Sequence, residues 1–149
     1  MVSQEVSQAI VEAVRGSALP GYELRLFAMQ QLDTLDTYNW SGIYRLEADM
    51  LVLDAYVGAA TDHTQIPVGR GVCGTAVAED ANQVIDDVRE LSNYLACSLQ
   101  TRSEIVVLIR KGSEVLGQID IDGHTVGAFD TSDESLLTSL GEILAERWE

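Results

Sequence analysis

The chain has 149 residues, of which 46% are hydrophobic and 22% charged, which suits one domain with a packed core and excludes a disordered tail. The net charge is −15, with eight Arg and the single Lys111 as the only basic residues, which excludes the basic clusters that nucleic acids or an anionic membrane surface require. The longest apolar run, residues 105–109, is five residues against the ~20 of a membrane helix, and residues 1–14 carry acids but no Lys or Arg, so neither a membrane span nor a secretory signal is expected and the location expected is cytoplasmic.

In chain order, Ser3 caps a first helix whose apolar positions are Val6, Ala9, Ile10, Ala13 and Val14, ending at Gly16. Pro20 and Gly21 break the chain, and a second helix sets Leu24, Phe27, Ala28, Gln31 and Leu35 on one face. From Gly42 the period shortens to that of strands. Residues 42–46 and 50–57 form a hairpin, and 58–64 is a loop. Residues 71–79 suit a short helix, 83–85 a short strand, and 86–101 a long loop of the kind that carries function. Residues 104–109 and 114–121 form a second hairpin, which Asp122 and Gly123 leave. Thr131 with Glu134 makes a capping box for a last helix that buries Leu136, Leu137, Leu140, Ile143 and Leu144. Hairpin-linked strands between terminal helices indicate an α+β fold with a mostly antiparallel sheet.

Three groups of residues carry candidate chemistry. The first is Gly69-Arg70-Gly71-Val72-Cys73-Gly74, a literal GxGxxG. A dinucleotide site would need a parallel βαβ unit around it, which the hairpin pattern opposes, and a glycine-rich helix start is the plainer reading. At such a start the helix dipole favours a thiolate on Cys73. The second is Cys97 with Glu104, Asp120 and Asp122. Asp120 and Asp122 alternate with Ile119 and Ile121 and so share one strand face, while Glu104 begins the neighbouring strand. Three carboxylates at one sheet end repel each other unless a cation, such as a ligand's ammonium, relieves them; the plain alternative is a solvated face. The third is Trp40 with Tyr44, an even number apart, forming either core packing or an apolar wall with polar tips around a small ligand. Cys73 and Cys97 stand 24 positions apart without a CxxC, and neither His63 nor His124 lies at ligand spacing from them, so no metal site and no structural disulfide is expected. Both are inert core residues, or one is a working thiol.

The stretches NWSGIYRLE (39–47), IPVGRGVCGTAVAE (66–79), YLACS (94–98), TRSEIVV (101–107), GQIDID (117–122) and FDTSDESLLTSL (129–140) together resemble a GAF domain, and within that superfamily the free methionine-(R)-sulfoxide reductases. The resemblance covers residue 24 to the end. It implies a single GAF domain over 1–149: a sandwich with a central antiparallel sheet of five or six strands, helices on both faces, and a helix at 1–20 that would serve as a homodimerisation element. It also implies the chemistry. The Cys97 thiolate attacks the sulfoxide of free methionine sulfoxide and is left as a sulfenic acid, a second thiol condenses with it, and thioredoxin reduces the disulfide without a bound cofactor. Glu104, Asp120 and Asp122 would be the pocket acids, and Trp40 and Tyr44 the aromatic wall. The sequence departs from the family at His63, where a cysteine is usual, and at Tyr94 and Ser98, which replace a His and an Asp. Cys73 would then be the resolving thiol. Two readings from other classes stand beside the enzyme: a non-catalytic GAF sensor of a small molecule such as an amino acid, and an interaction domain using its first helix. A cyclic nucleotide fits poorly, because three acids would repel its phosphate.

Overall fold

Strand alternation gives each face of one sheet a different partner. The protein is described by a computed structural model covering residues 1–92, 94 and 99–149. Among these residues the sheet has six strands in the order β3-β2-β1-β6-β5-β4, every pair antiparallel. The strands are β1 (Trp40–Glu47), β2 (Met50–Val57), β3 (Gln65–Pro67), β4 (Gln83–Ile85), β5 (Ser103–Lys111) and β6 (Glu114–Gly123). The helices are α1 (Gln4–Gly16), α2 (Gly21–Leu32), α3 (Gly71–Glu79) and α4 (Thr131–Glu146). None is long and apolar enough to cross a membrane.

On one face, Ile43 of β1, Ile105, Val107 and Ile109 of β5, and Ile119 and Ile121 of β6 form a branched-aliphatic layer. It is covered by Leu24, Ala28, Met29 and Leu32 of α2 and by Leu136, Leu137, Leu140 and Leu144 of α4, with Ile10 and Val14 of α1 packed outside. On the other face, Trp40, Tyr44, Leu51, Ile66, Val106 and Leu108 meet Val72, Cys73 and Ala76 of α3. Helices thus lie on both faces, and the fold is α+β.

Several local expectations shift. The face of α2 that is buried is Leu24, Arg25, Ala28, Met29 and Leu32, and Leu35 lies beyond the helix end. Arg25 is buried because Asp54 of β2 accepts from its Nε at 2.6 Å, while its guanidinium sits 4.7 Å over the Trp148 ring and donates to the Trp148 carbonyl. The helix pattern misses this because it counts only apolar residues. The cap of α4 lies one residue earlier than expected. Asp130 accepts from Ser132 N–H at 2.9 Å, and Asp133 accepts from Asp130 N–H at 2.9 Å. Glu134 is instead engaged by the Asn82 amide at 2.8 Å. The last strand keeps Asp122 and Gly123, which still pair with β5 and do not leave the sheet. The GxGxxG segment joins the antiparallel edge strand β3 to α3, and no parallel strand pair occurs among the described residues, so the dinucleotide reading fails on topology.

Candidate active site

The site is built on three adjacent strands. β6 runs between β1 and β5, and its alternation sends Gln118, Asp120 and Asp122 to the α3 side. The β1 register places Trp40 opposite Asp122 and Gly42 opposite Asp120. The β5 register places Glu104 opposite Asp122 and Val106 opposite Asp120. Directly opposed residues lie on the same face, so Trp40, Tyr44, Glu104, Asp120 and Asp122 converge as the alternation requires. Helix α3 then lowers Cys73 onto them, a contact across 31 residues of sequence.

The aromatic wall is fixed in position by its surroundings. The Trp40 indole lies over Gly42, where a Cβ would come within 2.3 Å of the ring. It also covers Gly58, which has φ +130° and would place a Cβ 2.7 Å from the ring. Trp40 stacks on Tyr56 with centroids 5.7 Å apart and lies 6.5 Å from Tyr44. Its Nε1–H donates to the Ala59 carbonyl at 3.0 Å, and the Tyr44 hydroxyl donates to the His63 carbonyl at 2.8 Å. The polar tips expected to face a ligand are therefore tied to the loop between β2 and β3. This contact also places His63 beside the aromatic wall.

The three acids are not a solvated face: Glu104 is 4%, Asp120 0% and Asp122 1% exposed. The Cys73 Sγ lies 3.8 Å from Glu104 Oε2, and these groups together with an Asp120 oxygen lie within 4.8 Å of one another. The wholly buried Asp120 carboxyl stands in hydrogen-bonding contact with the Glu104 and Cys73 side chains. Burial pushes the Asp120 carboxyl above its ordinary value of 3.8, and the neighbouring Glu104 and Cys73 pull in the opposite direction without cancelling it. Cys73 is the third residue of α3, as the glycine-rich start suggested. The two carboxyl groups in front of it work against the thiolate that the helix dipole alone would favour.

Gln118 is a site-face residue that sequence reasoning missed. Its amide donates to the Cys73 carbonyl at 3.0 Å and ties the first turn of α3 to β6. The same two-residue period that singles out Asp120 and Asp122 would have found it. A cavity of about 90 Å³ opens at this end of the sheet, lined by Asn39, Trp40, Ala59, Thr101, Asp122 and His124. Asn39 shapes its rim by accepting from the His124 N–H at 2.9 Å. Cys97 lies outside the described residues.

Known proteins match along nearly the whole chain. The GAF domain family model matches residues 3–148. A free methionine-R-sulfoxide reductase of Escherichia coli strain K12 is 40% identical over 117 residues, 76% of this chain and 70% of that protein. The chain belongs to the GAF domain family and, within it, to the free methionine-R-sulfoxide reductases. Solved structures agree. A type II free methionine-R-sulfoxide reductase from Thermoplasma acidophilum superposes with a TM-score of 0.81 at 36% identity, covering 93% of this chain and 94% of that one. The enzyme from Neisseria meningitidis in complex with its substrate superposes with a TM-score of 0.87 at 29% identity, covering 99% and 92%.

Proposed function

We propose that the chain reduces free methionine-(R)-sulfoxide to methionine at the face shared by Trp40, Tyr44, Glu104, Asp120 and Asp122. The observation that carries this reading is the convergence of three buried carboxyl groups beside a fixed aromatic wall. An ammonium answers the charge, and a methyl-sulfur end suits the rings. Asp122, which lines the cavity with Trp40, binds the ammonium. The adjacent Glu104 and Asp120 carboxyls hold a proton between them, and burial favours that state. That proton goes to the sulfoxide oxygen.

Cys97, in the YLACS segment that carries the family resemblance, is the nucleophile. Its thiolate attacks the sulfoxide sulfur, the protonated oxygen passes to the cysteine sulfur, and the methionine sulfur–oxygen bond breaks. Methionine leaves, and Cys97 becomes a sulfenic acid. Cys73 then condenses with it, releasing water and forming a disulfide, which the thioredoxin dithiol reduces by exchange. No bound cofactor enters the cycle. His63 stands at the aromatic wall and supplies no thiol, which leaves Cys73 as the resolving group.

A thioredoxin-coupled assay of the pure protein with each epimer of free methionine sulfoxide tests this. Turnover is expected for the R epimer alone, and is expected to disappear for N-acetyl methionine sulfoxide. Binding of the free amino acid without any methionine release would support a non-catalytic sensor instead. Mass mapping after one turnover should find a Cys73–Cys97 disulfide. Cys73→Ser should release one methionine per chain and then stall with thioredoxin as the reductant; continued turnover would mean that an external thiol resolves the sulfenic acid.

A further inference from the structure

A free amino acid carries two opposite charges on one carbon, and a pocket of carboxyl groups answers only one of them. Wherever Asp122 takes the ammonium, the neighbouring carboxylate is repelled unless hydrogen-bond donors stand close by. The cavity of about 90 Å³ at this end of the sheet has room for such a head group. Asp122 is the sole acid among its described lining residues, and no Lys or Arg is among them. Asn39 is held there at two points. Its backbone N–H donates to the Asp122 carbonyl at 2.9 Å, and its side-chain oxygen accepts from the His124 N–H at 2.9 Å. A backbone N–H can only donate, so the amide is oriented with its oxygen on His124. The two N–H groups on its Nδ2 then meet no protein acceptor among the described residues. Thr101 lines the same cavity and is only 3% exposed, and its hydroxyl likewise has no hydrogen-bond partner among the described residues. A buried hydroxyl in that state is costly until something polar meets it.

We propose that Asn39 and Thr101 bind the α-carboxylate of the substrate and so determine its selection as a free amino acid. The choice of ligand rests on the reductase reading; the new element is a second anchor beside Asp122. Neutral donors suit this place, because an Arg or Lys so close would pair with Asp122 and compete with the ammonium. The two anchors also fix the direction of the ligand. With the head group at Asp122, the side chain runs along β6 towards Asp120, two residues back and roughly 7 Å away between Cα atoms. Trp40 and Tyr44 flank that path, and the sulfoxide arrives at the Asp120 and Glu104 carboxyls. A methionine sulfoxide within a peptide carries neither charge and is refused at both anchors.

The experiment compares free methionine-(R)-sulfoxide with two analogues that keep the ammonium and the sulfoxide, its α-carboxamide and its decarboxylated amine. Calorimetric binding to the full chain and kcat/KM are both read. The native protein should favour the acid over either analogue by about ten- to hundredfold. Thr101→Val, which keeps the shape, should weaken the acid about tenfold and leave the amine within about twofold, whereas Thr101→Ser, which keeps the hydroxyl, should bind the acid as the native chain does. Asn39→Asp retains an acceptor for the His124 N–H and replaces the two donors with a negative charge. It should lose the acid more steeply and bind the amine as well as the native protein or better. A merely structural role would weaken acid and amine together. Equal native affinity for acid and amine, or parallel losses of both ligands in Thr101→Val and Asn39→Asp, would overturn the proposal. Preference for the acid without release of methionine would uphold the carboxylate site and overturn the reductase reading, and turnover of the amine as efficient as that of the acid would do the reverse. Binding of none of the three would overturn both.

Discussion

The two faces of the central sheet are built from the same strands and do opposite work. On the side of α1, α2 and α4, β1, β5 and β6 present a layer of Ile and Val, and the charge on that side, Asp54 of β2, is paired with Arg25 of α2. On the side of α3, one residue along each strand, the same segments present Glu104, Asp120 and Asp122. Ile121 and Asp122 are chain neighbours, both buried, one adding to the apolar core and the other a carboxyl buried at the cost of desolvation. The contrast teaches how a small domain affords a charged pocket: the stabilising burial is concentrated on one face, which leaves the other free to carry groups that weaken the fold.

Substitutions on the two faces should have opposite effects. The largest effect expected is on Cys97. Cys97→Ser should abolish methionine release even in a single turnover without reductant, because serine forms no comparable nucleophile near neutral pH; quantifying methionine per chain checks it. Ile121→Ala should lower stability by about 2–5 kcal/mol in urea unfolding while leaving KM for free methionine sulfoxide unchanged. Asp122→Asn should do the reverse. It removes charge-assisted hydrogen bonds of about 1.5–3 kcal/mol, so KM should rise roughly ten- to hundredfold with the melting temperature little affected. An equal loss of stability in both variants would erase the division between the faces.

The smallest effect concerns Asp120. Its folded-state pKa is raised above its ordinary value, so its contribution to stability is complete below about pH 4 and is lost as pH rises through the folded value. Asp120→Asn does not suffer that loss. At neutral pH the variant should be more stable than the native protein, read as a higher Tm, with the gain fading as pH falls towards 4. Melting curves across pH read the effect directly, and a gain that grows on acidification would contradict the sign.

Much of this arrangement is legible in the sequence. Strict alternation places Asp120 and Asp122 on one face opposite Ile119 and Ile121, and an even spacing aligns Trp40 with Tyr44; the strand registers agree with both. What could not be read depends on contacts distant in sequence. The approach of Cys73 to Glu104 is set by how α3 crosses the sheet, which no local period records. The burial of Arg25 depends on Asp54 and Trp148, which are remote in the chain. The three-residue strand β3 is too short to show alternation, and only its ladder with β2 defines it. The cap of α4 was displaced by one residue because Asp130 and Asp133 form the reciprocal pair as well as Thr131 and Glu134 could.

The seat of Trp40 has a practical consequence. The chain holds only two tryptophans, and the other, Trp148, sits under the Arg25 guanidinium away from the acids. In a Trp148→Phe background the indole over Gly42 becomes the sole emitter excited at the red edge of protein absorption. Because it is packed on Tyr56 and borders the cavity beside Asp122, its fluorescence should change when a ligand fills that cavity, without an added dye.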